Sequence, residues 1–96
     1  MTDMQRLRQE IDKIDEQLSC LLNRRMMIAR SVAQYKIDHN CCVLDTAREN
    51  EIIHKACERS ACDELKPYQE LFFKQLMTLS RDYQKTFIKL QKQIKK

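Results

Sequence analysis

The sequence predicts an all-α protein of three helices, long, short and long, and two observations carry this prediction. The 96 residues include no glycine and a single proline, Pro67. A sheet protein of this size needs several tight turns, and tight turns recruit glycine and proline. Apolar residues recur at spacings of four and three along two long segments, which is the period of an α-helix.

Size and composition fit one domain spanning residues 1–96. Hydrophobic residues make up 43% of the chain and charged residues 33%, which is typical of a globular protein and not of a disordered one. The first residues show no signal peptide, and the apolar runs are too short to span a membrane. The five cysteines are odd in number, so we expect reduced thiols and a cytoplasmic location.

The first helix is expected from about Asp3 to about Asp38. Its apolar stripe contains one charged member, Arg25, and consists otherwise of Leu7, Ile11, Ile14, Leu18, Leu21, Ile28, Val32 and Tyr35. A helix of ~35 residues is ~52 Å long, whereas a compact monomer of this size is ~32 Å across. One chain cannot cover such a stripe, so the sequence predicts an intertwined homodimer.

A loop is expected from His39 to Val43, where the helical period stops. Thr46 and Glu49 have the spacing of a capping box, so a second helix should begin near Thr46. The helical pattern of this segment fades around Arg59 to Cys62.

Pro67 suits the first turn of the third helix. The apolar stripe of that helix comprises Tyr68, Leu71, Phe72, Leu76, Leu79, Tyr83, Phe87, Leu90 and Ile94. A second face carries a row of lysines, interpreted as a solvated surface, at Lys85, Lys89, Lys92 and Lys96.

Two cations of the first helix share one face. Lys36 follows Arg25 by eleven residues, about three turns with ~20° of drift, and their Cα atoms should be roughly 16 Å apart. Two long cationic side chains could converge there on one small anion. The alternative is that each reaches solvent or pairs with an acid. Arg8 precedes Arg25 by about 25 Å and points elsewhere, so it can share that anion only from the partner of an antiparallel dimer. The alternative is that Arg8 is a solvated surface charge.

Polar residues on the other two helices have two interpretations each. Asp45 and Glu49 could stabilise the start of the second helix, or accept hydrogen bonds from a substrate hydroxyl while Arg48 binds a carboxylate. Ser80 and Gln84 are four residues apart and share a face. They could join two helices by a hydrogen bond or donate into a pocket.

We predict no metal and no cofactor. His39, Cys41 and Cys42 cluster in the loop, but the sequence has no C-x-x-C pair and no apparent set of four ligands. Without glycine there is no Gly-rich phosphate loop. No arrangement of residues indicates a nucleophilic cysteine.

The ordered set of charged and apolar residues resembles the all-helical (type II) chorismate mutase family over nearly the whole chain. The positions that carry the resemblance are Leu7-Arg8, Ile11-Asp12, Ile14-Asp15, Leu18, Leu21-Leu22, Arg25, Val32-Ala33, Tyr35-Lys36, Val43, Asp45, Arg48-Glu49, Leu65, Pro67, Phe72 or Phe73, Ser80 and Gln84. The resemblance implies a homodimer whose Arg8 reaches across to the other subunit's site. It also implies rearrangement of chorismate to prephenate, without nucleophile or proton transfer, in aromatic amino acid biosynthesis.

The resemblance implies a role for each matching residue. Arg25 and Arg48 would bind the two substrate carboxylates with help from Ser80. Lys36 and Gln84 would donate to the ether oxygen.

Asp45 and Glu49 would hold the region of the ring hydroxyl. They separate the mutase from a related enzyme on the same fold, an isochorismate pyruvate-lyase, whose relatives lack both carboxylates. A non-enzymatic helical module is the other alternative. It leaves Arg25 in an apolar stripe without explanation, and we expect no nucleic-acid or membrane partner.

Overall fold

The computed structural model describes residues 1–94 and contains three α-helices. They are α1 (Asp3–Asp38), α2 (Thr46–Glu58) and α3 (Lys66–Ile94), with a 3-10 turn at Asp63–Leu65 just before α3. The predicted all-helical, long-short-long class is therefore confirmed, and residues 1–94 contain no strand. Lys95 and Lys96, the end of the predicted domain and of its lysine row, lie outside the described residues.

α1 begins with a capping box that the sequence reading missed. Thr2 Oγ1 accepts a hydrogen bond from the Gln5 N–H at 3.1 Å, and Gln5 Oε1 accepts one from the Thr2 N–H at 2.8 Å. Each side chain satisfies a backbone donor that has no partner within the helix. α1 therefore begins at Asp3, the residue at which the apolar periodicity predicted its start.

α1 ends at Asp38, and Asn40, two residues later, occupies a position where glycine is the usual residue. Asn40 has φ 54°, the left-handed region that most side chains avoid. The Cys41 N–H then donates to the Lys36 carbonyl at 2.9 Å, and the Asn40 N–H to the Ile37 carbonyl at 3.4 Å. This pair of bonds is a Schellman motif, and asparagine is the usual substitute when glycine is absent.

The predicted capping box of α2 is wrong, although the helix does begin at Thr46. Asp45 is the N-cap, and its Oδ1 accepts a hydrogen bond from the Arg48 N–H at 3.0 Å. Aspartate caps a helix better than threonine does, so the cap lies one residue earlier than predicted. Glu49 pairs with Arg81 of α3 instead of reaching back to the cap.

α3 is the central element because it packs against both α1 and α2. The buried apolar residues are few and mostly small: Ala29, Ala33, Ala56, Leu76 and Met77. Ala29 and Ala33 each follow a member of the predicted stripe by one residue, so α3 packs on a face beside the stripe. The apolar members of the stripe itself stay 40% to 65% exposed.

One chain alone is far from compact. It measures 59 × 29 × 14 Å with a radius of gyration of 17.2 Å, against roughly 12.5 Å for a compact domain of this length. Its accessible surface is 7924 Å², against roughly 5,800 Å² for a compact monomer of this mass. The excess surface includes the apolar stripe of α1.

Candidate active site

All the predicted site residues except Arg8 line a single cavity of about 320 Å³. The cavity lies between the second half of α1, the loop that follows it, the start of α2 and the middle of α3. Its polar and charged lining consists of Arg25, Lys36, Asp45, Arg48, Glu49, Ser80, Arg81 and Gln84. Its apolar lining consists of Ile28, Ala29, Val32, Val43, Ile52 and Met77.

The ammonium of Lys36 is held by the loop after α1. Lys36 Nζ donates to the Val43 carbonyl at 2.7 Å, and the lysine is partly buried. An ammonium has three N–H donors. One fixes the position of Lys36, and the other two remain for a ligand.

Two guanidinium groups face the same space from different helices. Burial lowers the pKa of Arg25, and the positive charge of nearby Arg48 lowers it further. An arginine keeps its proton at any physiological pH, so Arg25 is a partly buried cation that faces a second cation. Arg48 is more exposed and also forms an ion pair with Glu51 at 3.2 Å. A bound carboxylate would relieve the repulsion between the two guanidinium groups.

α3 contributes a buried neutral pair. Ser80 and Gln84 are each only 7% exposed, and Gln84 Nε2 donates to Ser80 Oγ at 3.2 Å. Gln84 Oε1 is buried and has no hydrogen-bond partner within residues 1–94. A half-turn of the amide group lets the Ser80 hydroxyl donate to Oε1 and frees the Nε2 hydrogens for an acceptor in the cavity. The pair can therefore present either an acceptor or a donor.

The two carboxylates are tied to different partners. One oxygen of Asp45 caps α2, as described above, which fixes the side chain at the rim of the cavity. Glu49 forms an ion pair with Arg81, and both side chains are only about a quarter exposed. Each carboxylate keeps a second oxygen that can accept a hydrogen bond.

Arg81 is the lining residue that the sequence reading missed. It stands four residues after Met77 and three before Gln84, so it shares their face of α3. That spacing was a usable signal.

Arg8 lies away from this cavity. It borders a shallow surface depression near the start of α1, together with Met1, Gln5, Gln9 and Asp12. The separation from Arg25 along the rigid helix is about 25 Å. A contact between Arg8 and the cavity of its own chain is therefore excluded by helix geometry.

Residues 1–94 contain no group of three His, Cys, Asp or Glu side chains arranged to hold a metal ion. All five cysteines are described, and each is a free thiol. None of the helices in this part of the chain has both the length and the apolar character needed to cross a bilayer.

This chain is similar to known proteins in sequence and in structure. A "Bifunctional chorismate mutase/prephenate dehydratase" from Aquifex aeolicus is 38% identical over 55 residues, which cover 57% of this chain and 15% of that protein. The chain thus matches only a small part of that relative's length. A solved structure, described as a conserved hypothetical protein from Pyrococcus furiosus, has a TM-score of 0.73 and 32% identity, covering 88% of this chain and 97% of that chain. The sequence model of the type II chorismate mutases matches residues 7–85, and the chain therefore belongs to the chorismate mutase type II family.

Proposed function

We propose that this protein is a chorismate mutase, which rearranges chorismate to prephenate on the route to phenylalanine and tyrosine. The observation that carries the proposal is the cavity itself. Three cations reach it from two helices, Arg25, Lys36 and Arg48, beside a buried hydroxyl and amide on α3. Family membership and the mutase part of the relative's name favour the same reaction.

The first task of such a site is to hold a flexible substrate in a reactive shape. Arg25 and Arg48 bind the two carboxylates of chorismate, and Ser80 assists. A guanidinium fork fixes the direction of a carboxylate as well as its position. Clamping both ends brings the enolpyruvyl side chain over the ring, which lowers the entropic part of the barrier.

The second task is to stabilise the charge that develops on the ether oxygen. In this rearrangement the C–O bond breaks while a C–C bond forms, within one molecule. Lys36 and Gln84 donate to that oxygen. Both are held before the substrate arrives, the lysine by the Val43 carbonyl and the amide by Ser80. In this orientation the second Nε2 hydrogen of Gln84 remains to donate, so little reorganisation is needed during the reaction. The free oxygens of Asp45 and Glu49 accept from the ring hydroxyl.

The proposal includes an intertwined homodimer in which Arg8 completes the partner's site. It is supported by the exposed stripe of α1 and by the excess surface of the single chain. A second copy of α1 is the occupant whose length matches the stripe. Arg8 would enter the partner's cavity at a height along the partner's α1 between Arg25 and Lys36. The two α1 helices would then run antiparallel and cross at about residue 19.

Native Cys20 tests this geometry because it is exposed and next to that crossing point. In a variant that keeps Cys20 and has serine at the other four cysteines, a bismaleimide spanning about 10 Å should give a covalent dimer. A matched variant that keeps only Cys62 should remain monomeric on the same gel. Failure of the Cys20 variant to cross-link would contradict the antiparallel arrangement.

The direct test of the activity is incubation of the purified protein with chorismate. Loss of chorismate with formation of prephenate is the expected result. Incubation with isochorismate should release no pyruvate, because Asp45 and Glu49 line the cavity. Pyruvate release without prephenate formation would assign the lyase instead. Turnover of neither substrate would favour a non-enzymatic helical module.

A further inference from the structure

Arg81 adds a fourth cation to the cavity, and it is engaged by Glu49. Arg81 Nη1 donates to Glu49 Oε1, linking α3 to the first turns of α2. Arg81 Nη2 donates to Thr78 Oγ1 at 3.3 Å, one turn earlier on the same helix. The guanidinium is therefore held on both sides before any ligand binds.

This ion pair differs from every other ion pair in residues 1–94. The others join residues three or four apart in the chain, and all of their side chains are at least 44% exposed. Such local surface pairs contribute little to stability or geometry. Arg81 and Glu49 are 32 residues apart in sequence, and their side chains are 27% and 21% exposed. Reduced solvent screening makes this contact the stronger one.

The ion pair with Arg81 also sets the charge and the orientation of Glu49 in a cavity suited to a dianion. A carboxylate without a counterion would repel the carboxylates of the ligand, and its side chain could turn away. Pairing one oxygen with Arg81 neutralises that charge and fixes the side chain. The other oxygen remains an acceptor, since a carboxylate has about four lone-pair sites.

We infer that Arg81 is a positioning residue for the proposed mutase reaction, which holds Glu49 as a charge-compensated acceptor for the ring hydroxyl of the substrate. The inference rests on the proposed function and deepens it. Arg81 acts through Glu49 and not on the reacting atoms. Its loss should therefore weaken substrate binding more than it slows the chemical step.

Steady-state kinetics of single and double variants test this role. Arg81→Ala should lower kcat/KM about 10- to 100-fold, the range for one hydrogen bond to a charged group, mainly by raising KM. Arg81→Lys should recover much of the loss because it restores the positive charge. The matched control is Lys74→Ala, which removes an exposed pair with Glu70 on the same helix and should leave both constants unchanged.

The decisive comparison uses Glu49→Gln as the background. If Arg81 acts through Glu49, adding Arg81→Ala to Glu49→Gln should change kcat/KM by less than about twofold. An equal loss in both backgrounds, or no loss from Arg81→Ala in an active enzyme, would overturn the inference and leave the proposed function standing. Absence of wild-type turnover would instead refute the proposed function, and this inference with it. Circular dichroism of each variant checks folding, and Arg81→Gln, which is neutral but longer than alanine, replaces Arg81→Ala if that variant does not fold.

Discussion

Lys36 illustrates how a single side chain in this protein depends on its surroundings. It is the only lysine that lines the cavity within residues 1–94, and its ammonium is held by a loop carbonyl. That carbonyl, from Val43, is available because the chain turns sharply after α1. The proposed role of Lys36 therefore relies on a backbone group seven residues away, which a list of charged residues does not reveal.

Lys36→Ala should lower kcat by about 10²- to 10³-fold, or roughly 3–4 kcal/mol, because one donor to the developing charge is lost. Turnover of chorismate measures the effect. The variant should keep the helical circular dichroism of the parent. Lys89→Ala, which removes an exposed lysine on α3, is the control and should retain full activity. Wild-type turnover in Lys36→Ala would contradict its assignment as a donor.

The amide side chain of Gln84 leads us to expect a kcat that has no optimum at acidic pH. An amide donates a hydrogen bond at any pH, whereas a carboxyl group donates only when it is protonated. The kcat of the wild type should stay level as the pH rises above 6. Gln84→Glu should introduce a fall in kcat with rising pH as the new carboxyl loses its proton. A steep fall above pH 6 in the wild type would refute the role of Gln84.

At the scale of the helices, α1 has two neighbouring apolar faces with different tasks. The face with Ala29 and Ala33 packs against α3, because small side chains let the helices approach closely. The stripe beside it, which includes Leu21 and Ile28, stays exposed. The periodicity of the sequence found the larger residues and missed the alanines, since alanine contributes little to an apolar pattern.

The end of α1 carries a stability prediction. Asn40→Ala should lower the free energy of unfolding by about 1 kcal/mol, because a Cβ without a compensating polar group disfavours positive φ. Asn40→Gly should be neutral or stabilising. Urea unfolding at one fixed protein concentration measures both changes. Asn50→Ala, at an exposed position inside α2, is the matched control and should not destabilise. Equal stability of Asn40→Ala and wild type would contradict a strained helix end.

At the scale of the whole molecule, the single chain leaves its main apolar stripe uncovered. No bulky side chain is fully buried within residues 1–94. In the proposed dimer, much of the stability should therefore come from contacts between chains. Arg8 lies about 25 Å from the cavity of its own chain, so only the partner chain can supply Arg8 to that cavity. A chain would then complete its site in the same event in which it folds and assembles.

Mixing two inactive variants tests whether sites are shared. Arg8→Ala and Lys36→Ala should each have low activity alone. After subunit exchange of equal amounts, half of the dimers are mixed, and each mixed dimer has one site with both residues intact. Activity should rise to about a quarter of the wild-type value. A mixture no more active than the mean of its parents would show that Arg8 acts within its own chain or not at all.

The sequence by itself predicted most of the polar residues that line the cavity, but not the contacts between them. Arg25 was recognisable because a charge in an apolar stripe is unusual, and Lys36 because it shares the same helical face. Arg81 was not recognised, since its pairing with Glu49 depends on how α2 packs on α3. The predicted N-cap of α2 was wrong by one residue, because two residues that can cap a helix, Asp45 and Thr46, are adjacent in the sequence.

The sequence alone determined the helical class, the bounds of α1, the start of α2 and the family, because these depend on local periodicity and on the order of residues along the chain. Only the tertiary structure decided which face of α1 packs on α3, that Lys36 is held by Val43, and that Glu49 pairs with Arg81. These contacts join residues from different elements. Their geometry follows from the packing of the whole chain, which local pattern does not specify.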